Sequence, residues 1–374
     1  MNPVSRAAER RERLRATAAE RGLDAVLVTN LLNVRYLTGF TGSNGALLLR
    51  TDGADVFGTD GRYTTQAGAQ VPDVELLVDR GTVGALARAA VRRGAGRIGY
   101  ESHHLTVDAL RALERVLADA AEGGTVPELT SVRRAVEDQR AIKDDAEIDA
   151  LRRACAVADA ALAELAAEGA LRPGRTELQV SRELDARMLA MGAEAPSFET
   201  IVATGANSAI PHHRPDATVL REGDFLKLDF GATVDGYHSD MTRTVVLGGP
   251  HGTAADWQRE IYELVAAAQA AGRAALAVGA DVVQVDAAAR DVIAAAGHGE
   301  HFTHGLGHGV GLEIHEAPGI GQLGAGTLAA GMAVTVEPGV YLPGHGGVRI
   351  EDTLVVMDGE PELLTLTSKE LLVL

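Results

Sequence analysis

Two hydrophobic periodicities alternate along the first 140 residues of the chain. Polar stretches with helical spacing are followed by short apolar runs rich in valine and leucine, which are typical of buried strands. This alternation predicts a smaller α/β domain in which helices flank a sheet. The predicted strands are residues 24–28, 46–49, 55–58 and 97–100, and the predicted helices end near residue 22 or lie near 81–93 and 106–121.

A polar and charged segment at residues 123–145 interrupts these patterns. Such segments are typical of domain boundaries, because few hydrophobic contacts cross them. We place the boundary near residue 140, which gives an N-terminal domain of residues 1–140 and a C-terminal domain of residues 141–374.

In the second domain, helical and strand patterns are mixed without strict alternation. Thr176 and Gln179 have the spacing of a capping box and predict the start of a helix. Further helices are predicted at 146–168, 254–276 and 282–296, with strands between and after them. This order favours an α+β class for the second domain.

Two aspartates stand in a predicted hairpin of the second domain. Apolar and polar positions alternate around Asp229, and Asp235-Gly236 is a two-residue turn signal. A turn at these two residues pairs Asp229 with Thr242 and makes Asp229 and Asp240 diagonal neighbours within ~7–8 Å. Two carboxylates at that distance repel each other unless a cation lies between them, and this favours a metal site. The alternative for either aspartate is a turn cap or a solvated strand residue.

Two glutamates near the end of the chain lie in similar surroundings. Glu337 ends an apolar strand pattern, and Glu351 is predicted inside the strand pattern of residues 347–356, on the same face as Arg349. A buried glutamate is costly without a partner. Glu351 is therefore either a metal ligand or one half of a structural ion pair with Arg349.

The segment 301–318, HFTHGLGHGVGLEIHEAP, adds histidines set among glycines. A helical zinc motif is excluded, because each of its four glycines between the histidines would cost about 1 kcal/mol in a helix. The single cysteine, Cys155, also excludes a thiolate cage. Four carboxylates and one imidazole suit Mn²⁺, Co²⁺ or Zn²⁺ and exceed the needs of one ion. Two ions that share bridging carboxylates fit better, and such a pair can catalyse hydrolysis.

Overall charge and hydropathy narrow the range of partners. The chain has 35 Lys and Arg against 52 Asp and Glu, a net charge of −17, which argues against nucleic acid or an anionic membrane as the main partner. No run approaches the ~20 apolar residues needed to cross a bilayer, and the charged N-terminus has no signal-peptide core. We therefore expect a cytoplasmic protein without a membrane partner.

Four segments of the second domain, in this order, resemble the metallopeptidases of the pita-bread fold, family M24. They are LDFGATVDGYHSDMTRT, HGLGHGVGLEIHE, TVEPGVY and VRIEDT. The nearest branch is that of aminopeptidase P and prolidase, the Xaa-Pro dipeptidase. In the first domain, NVRYLTGFTGSNGALLL and FGTDGRYTTQA resemble the creatinase-type N-terminal domain of that group. The resemblance implies an α+β pita-bread catalytic domain preceded by a smaller α/β domain.

The same resemblance implies roles for individual residues. Asp240 and Glu351 would bridge two metal ions, Asp229 would bind one ion, and His308 with Glu337 would bind the other. His212 is the expected substrate-side histidine, with His213 as the alternative. The implied catalytic residues are His212, His315, Glu337 and Arg349, and the implied substrate-binding residues are His304 and Tyr341, although His304 has a structural role as its alternative.

The implied function is a metal-dependent exopeptidase. A metal-bridging hydroxide would cleave the peptide bond between an N-terminal residue and proline, with Mn²⁺ as the first choice and Co²⁺ or Zn²⁺ as alternatives. The substrate would be a proline-containing peptide, and the protein a homodimer or higher homo-oligomer. The resemblance leaves open whether the protein is a dipeptidase or an aminopeptidase P. The alternative from another class is a non-catalytic or metal-free pita-bread protein, with a binding role or a creatinase-like hydrolase activity.

Overall fold

A computed structural model of the chain describes residues 3–248 and 252–374. The chain forms two compact units, Met1–Arg140 and Ala141–Leu374. No helix among the described residues is long and apolar enough to cross a membrane.

The first unit is built on a six-stranded mixed sheet with the strand order β4-β3-β2-β1-β5-β6. The central strand β1 is buried along its whole length and runs antiparallel to β2 and parallel to β5. The strands are β1 Ala25–Val28, β2 Gly45–Arg50, β3 Val56–Thr59, β4 Glu75–Val78, β5 Arg97–Tyr100 and β6 Glu128–Ser131; the helices are α1 Pro3–Glu20, α2 Leu31–Thr38, α3 Thr64–Gln70, α4 Thr82–Arg92, α5 Val107–Ala120 and α6 Glu137–Arg140.

The predicted α/β elements of this unit are confirmed, and the structure adds several short ones. The strands β1, β2, β3 and β5 and the helices α1, α4 and α5 lie where the apolar periodicity predicts them. The sequence did not predict α2, α3, β4 or β6. Both added strands lie at the edges of the sheet and are partly exposed, so they lack a clear apolar pattern.

The described residues of the second unit form four long helices, and capping residues fix the starts of the first two. They are α7 Asp145–Ala167, α8 Glu177–Ala190, α9 Asp256–Ala274 and α10 Val282–Ala295. Asp144 with Glu147 forms a capping box before α7, and Thr176 with Gln179 forms the predicted one before α8.

The strands of the second unit form several small sheets, and two of these sheets contain or adjoin the residues that were predicted as metal ligands. One has the order β12-β9-β8 and the other the order β14-β13-β15-β18-β19. The strands are β7 Ala195–Pro196, β8 Ile201–Thr204, β9 Phe225–Phe230, β10 Ala232–Val234, β11 Tyr237–His238, β12 Met241–Val246, β13 Gly307–Gly309, β14 Glu316–Ile320, β15 Ala333–Val336, β16 Gly339–Leu342, β17 Gly346–Arg349, β18 Asp352–Val355 and β19 Glu362–Leu363.

Each of these two sheets packs its apolar side against a pair of helices. Leu162 of α7 and Leu184 of α8 share a core with Leu228 of β9. Val265 of α9 and Val285 of α10 share another core with strands that include β15 and β18. This packing buries one side of each sheet in helices.

The predicted hairpin register is confirmed, and one predicted strand is corrected. Asp229 pairs with Thr242, and the turn residues Asp235 and Gly236 both have positive φ, 49° and 71°. The single strand predicted for residues 347–356 is wrong, because it is divided into β17 and β18. Between them, the backbone N–H of Glu351 donates to Thr242 O at 3.1 Å, so the chain changes partners at this point.

Candidate metal centre and active site

The two sheets bring five acidic or imidazole side chains to one cavity. Asp229 lies in β9 and Asp240 directly before β12, whereas three side chains come from the β13-β15-β18 region of the other sheet: His308 in β13, Glu337 after β15 and Glu351 before β18. All five line a cavity of about 260 Å³. Ligand atoms of Asp240, His308 and Glu351 lie within 4.8 Å of one another.

His308 lies in a strand that only glycine neighbours allow. A Cβ atom on Gly307 would lie 2.0 Å from Thr335 O, and one on Gly309 would lie 2.2 Å from Ala317 O. The register shifts between His308 and Gly309, a bulge that turns the side chain. The glycines therefore let the backbone pass close to its neighbours at the site.

The imidazole of His308 is prepared for metal binding. Its Nδ1–H donates to Gly309 O at 3.0 Å, which leaves Nε2 as the free electron pair, 3.5 Å from both Asp240 and Glu337 carboxylate oxygens. Burial lowers the pKa of His308 to about 4, so the ring is neutral at pH 7. Neutral imidazole is the form that binds metal ions.

The carboxylates of the cavity destabilise one another when no cation is present. Burial, followed by the charges of the neighbouring carboxylates, raises the pKa of Asp240 and Glu351 well above the usual range. Burial also raises the pKa of Glu337 to about 8. In addition, Asp229 Oδ1 is buried and has no hydrogen-bond partner among the described residues. An unpartnered oxygen beside three such carboxyl groups and a neutral imidazole fits a site for divalent cations.

Arg349 connects several of these groups from behind the cavity. Its guanidinium donates to Asp229, to Tyr341 Oη at 2.8 Å and to Thr242 Oγ1 at 2.9 Å. The Thr242 hydroxyl in turn donates to Glu351 Oε2 at 2.7 Å. Arg349 thus reaches Glu351 through Thr242, and the alternative of a direct Glu351–Arg349 ion pair is wrong.

The sequence did not identify Thr242 or Lys227 as residues of the site. Thr242 is the residue opposite Asp229 in the predicted hairpin, and that pairing was the available signal. Lys227 precedes Asp229 by two positions in β9 and is fully buried, with Nζ donating to the carbonyls of Ile210 and Pro211 at 2.7 and 3.2 Å. Burial and the charge of Arg349 lower its pKa well below the usual range.

His304 and Tyr341 form a hydrogen-bonded pair beside this network. The His304 Nδ1–H donates to Gly305 O at 2.8 Å, so Nε2 accepts from Tyr341 Oη at 2.8 Å. Burial lowers the pKa of His304 to about 3. Both ring nitrogens of His304 are occupied, and neither His304 nor Tyr341 is among the residues that line the cavity.

The histidines at positions 212, 213 and 315 are all close to the cavity but differ in their surroundings. His212 and His315 are exposed, and the His315 ring packs edge-on against His308 with centroids 4.4 Å apart. Burial and the charge of Arg349 lower the pKa of His212, which favours its neutral form. His213 is buried and bonded to Glu177 at 2.7 Å. Of the two neighbours, His212 has the ring available to a substrate.

A second acidic cluster consists of Glu177, His213 and Asp216. Glu177 Oε1 accepts from Thr204 N at 2.8 Å and Asn207 Nδ2 at 3.0 Å, and Oε2 accepts from His213 Nε2 and, at 3.3 Å, from Asp216 N. Both oxygens of this carboxylate are already satisfied, so the cluster is a structural network.

The second unit places four carboxylates and the imidazole of His308 in one cavity between two sheets. This arrangement, in a chain of two units, is typical of the metallohydrolases of the pita-bread fold. Residues 149–358 match metallopeptidase family M24, and residues 10–142 match the creatinase/prolidase N-terminal domain. The chain belongs to metallopeptidase family M24.

Three similar proteins illustrate the relationship. The chain is 40% identical to the peptidase YqhT of Bacillus subtilis over 97% of its own length and 99% of the relative. A solved Xaa-Pro dipeptidase from Bacillus anthracis superposes with a TM-score of 0.90 at 40% identity, covering 98% of this chain and 100% of that one. An X-Pro aminopeptidase from Thermotoga maritima superposes with a TM-score of 0.86 at 31% identity, covering 95% and 99%.

Proposed function

We propose that the protein is a metal-dependent exopeptidase that cleaves the bond between an N-terminal residue and proline. The observation that carries this proposal is the cavity in which Asp229, Asp240, His308, Glu337 and Glu351 converge. The solved relatives include both an Xaa-Pro dipeptidase and an X-Pro aminopeptidase, which supports the choice of substrate.

The five residues would hold two divalent ions. Asp240 and Glu351 would be shared by both ions, Asp229 would bind one of them, and His308 with Glu337 would bind the other. An oxygen-rich donor set with one imidazole suits Mn²⁺ first, with Co²⁺ or Zn²⁺ as alternatives. When bound, the ions supply Lewis acidity toward the scissile carbonyl and ionise water near neutral pH.

The side chains of the protein complete the reaction. Glu337, whose carboxylate lines the cavity, takes a proton from the attacking water and returns it to the leaving proline nitrogen. His212 and His315, exposed in the cavity, donate hydrogen bonds to the scissile carbonyl oxygen as it gains negative charge. Arg349 is a positioning residue that holds Asp229, with Tyr341 and His304 behind it.

The apolar part of the cavity suits the proline ring. Phe198, Ile201 and Ile314 line it beside the polar groups. A pyrrolidine ring is rigid and apolar, so such a wall can select proline in the second position of the peptide.

We also propose a cytoplasmic homodimer, and sedimentation of the purified protein would test the assembly.

Elemental analysis and peptide hydrolysis test the function together. The purified protein, loaded with Mn²⁺ and freed of excess metal, is expected to retain about two ions per chain and to hydrolyse Ala-Pro or Ala-Pro-Ala. Ala-Ala serves as the control peptide and should be a poor substrate. Absence of both bound metal and hydrolysis would contradict the proposal and favour a non-catalytic protein.

A further inference from the structure

The charges that line the cavity are strongly unequal. Five carboxylates face it: the four candidate metal ligands and Glu199. Among the described lining residues, Arg214 is the only lysine or arginine. The buried side chains of Arg349 and Lys227 already donate, to Asp229 and to a backbone carbonyl respectively, and neither lines the cavity. A substrate anion that enters the cavity therefore has one side-chain cation available to it outside the metal centre.

The backbone around Arg214 is held in place. His213, the residue before it, bonds to Glu177, and the N–H of Asp216 donates to the same carboxylate. Glu177 is itself fully buried at the start of α8. Residue 214 thus lies between two anchored positions, and it is one of the residues that line the cavity.

The guanidinium of Arg214 can exchange its present partner. It donates to Glu199 at 2.7 Å, but the two side chains are 81% and 63% exposed. Exposed ion pairs contribute little to stability, because water and side-chain entropy offset the attraction. A carboxylate that enters the cavity with a substrate can therefore replace Glu199 on Arg214.

We propose that Arg214 binds the C-terminal carboxylate of a dipeptide substrate, with Glu199 as its partner in the free enzyme. This inference rests on the proposed function and makes it more specific. In Xaa-Pro the free carboxylate belongs to the proline itself, whereas a longer peptide has a neutral amide there. In a cavity lined by carboxylates, an unpaired substrate carboxylate is repelled, so pairing with Arg214 raises the affinity for dipeptides relative to that for longer peptides.

Two substrates that differ only in this charge test the proposal: Ala-Pro and its C-terminal amide. Arg214→Gln is expected to raise KM for Ala-Pro about two- to fivefold, the range of an exposed ion pair, with kcat and the kinetics of the amide unchanged. Arg214→Lys retains the charge and should fall between wild type and Arg214→Gln. Glu199→Gln removes the competing carboxylate and should lower KM for Ala-Pro alone.

Arg221→Gln is the matched control, because Arg221 is an exposed arginine of the same unit that does not line the cavity. This variant should leave KM and kcat unchanged for both Ala-Pro and its amide. Equal changes for Ala-Pro and its amide in Arg214→Gln, or no change in either, would overturn the proposal. Failure of the proposed function has a different signature, in which the metal-loaded wild type hydrolyses neither Ala-Pro nor the amide.

Discussion

The two acidic clusters of the second unit contain the same kinds of side chain but differ in how many hydrogen-bond donors their carboxylate oxygens have. Both oxygens of Glu177 accept hydrogen bonds from His213 and from neighbouring amides. In the other cluster, Asp240 and Glu351 face further carboxylates, and Asp229 Oδ1 has no hydrogen-bond partner among the described residues. A carboxylate surrounded by donors stabilises the fold, whereas one surrounded by carboxylates needs a cation. Hydrogen-bond satisfaction therefore separates a structural cluster from a metal site better than residue type does.

The largest effect expected from this comparison is on activity when one carboxylate of each cluster is neutralised. Asp240→Asn should lower kcat/KM by about a thousandfold or more, since it removes a bridging ligand and with it the bound metal. Asp216→Asn is the matched control and should keep both metal and activity. Elemental analysis and peptide hydrolysis measure the two variants. Full activity in Asp240→Asn would remove the bridging role.

Neighbouring histidines give a second contrast. His212→Ala should lower kcat about a hundredfold with unchanged stability, as expected for loss of a group that acts on the substrate. His213→Ala should instead lower the free energy of unfolding by about 1–3 kcal/mol, because it removes a donor from buried Glu177. Steady-state kinetics and urea unfolding separate the two effects. The opposite assignment, with His213 as the catalytic neighbour, would follow from the reverse pattern.

A third contrast concerns the sign of a stability change in the metal-free protein. Glu177→Gln places an amide donor against the donors of His213 and Asp216 and should destabilise the fold by about 1–3 kcal/mol. Glu351→Gln removes one of several repelling carboxyl groups and should stabilise the metal-free fold. Urea unfolding in EDTA measures both, and added Mn²⁺ should reverse the order for Glu351→Gln, since only wild type gains from metal binding. A loss of stability in both metal-free variants would end the distinction between the clusters.

The smallest effect concerns Asp185, which lies in helix α8 with Glu177 but accepts fewer hydrogen bonds than Glu177 does. Burial raises its pKa despite a 2.6 Å hydrogen bond from Thr200 Oγ1. Because the folded pKa lies above the unfolded one, the folded protein binds the proton more tightly, and this contribution is lost as pH rises through the folded pKa. Asp185→Asn should therefore gain stability relative to wild type as pH rises through that window. Unfolding curves with the same pH dependence in both proteins would argue against the shift.

The sequence predicted most of what short-range patterns determine. Apolar periodicity located the long helices and inner strands, and the Asp235-Gly236 turn gave the register that brings Asp229 opposite Thr242. What it could not show depends on distant contacts. The division of the strand near Glu351 arises because its N–H bonds to Thr242 in another sheet. The choice between His212 and His213 likewise depends on Glu177, which lies 36 positions before His213.

The separation of the site residues along the chain also has a consequence for folding. Arg349 bonds to Asp229 across 120 positions, and Glu351 accepts from Thr242 across 109. Contacts between such distant positions carry a large entropy of loop closure and form after local structure. We therefore expect the centre to form late in folding, when both sheets have paired. A refolding chain should therefore bind metal only after both sheets have formed. The rate of metal binding would then report how fast the native state is completed.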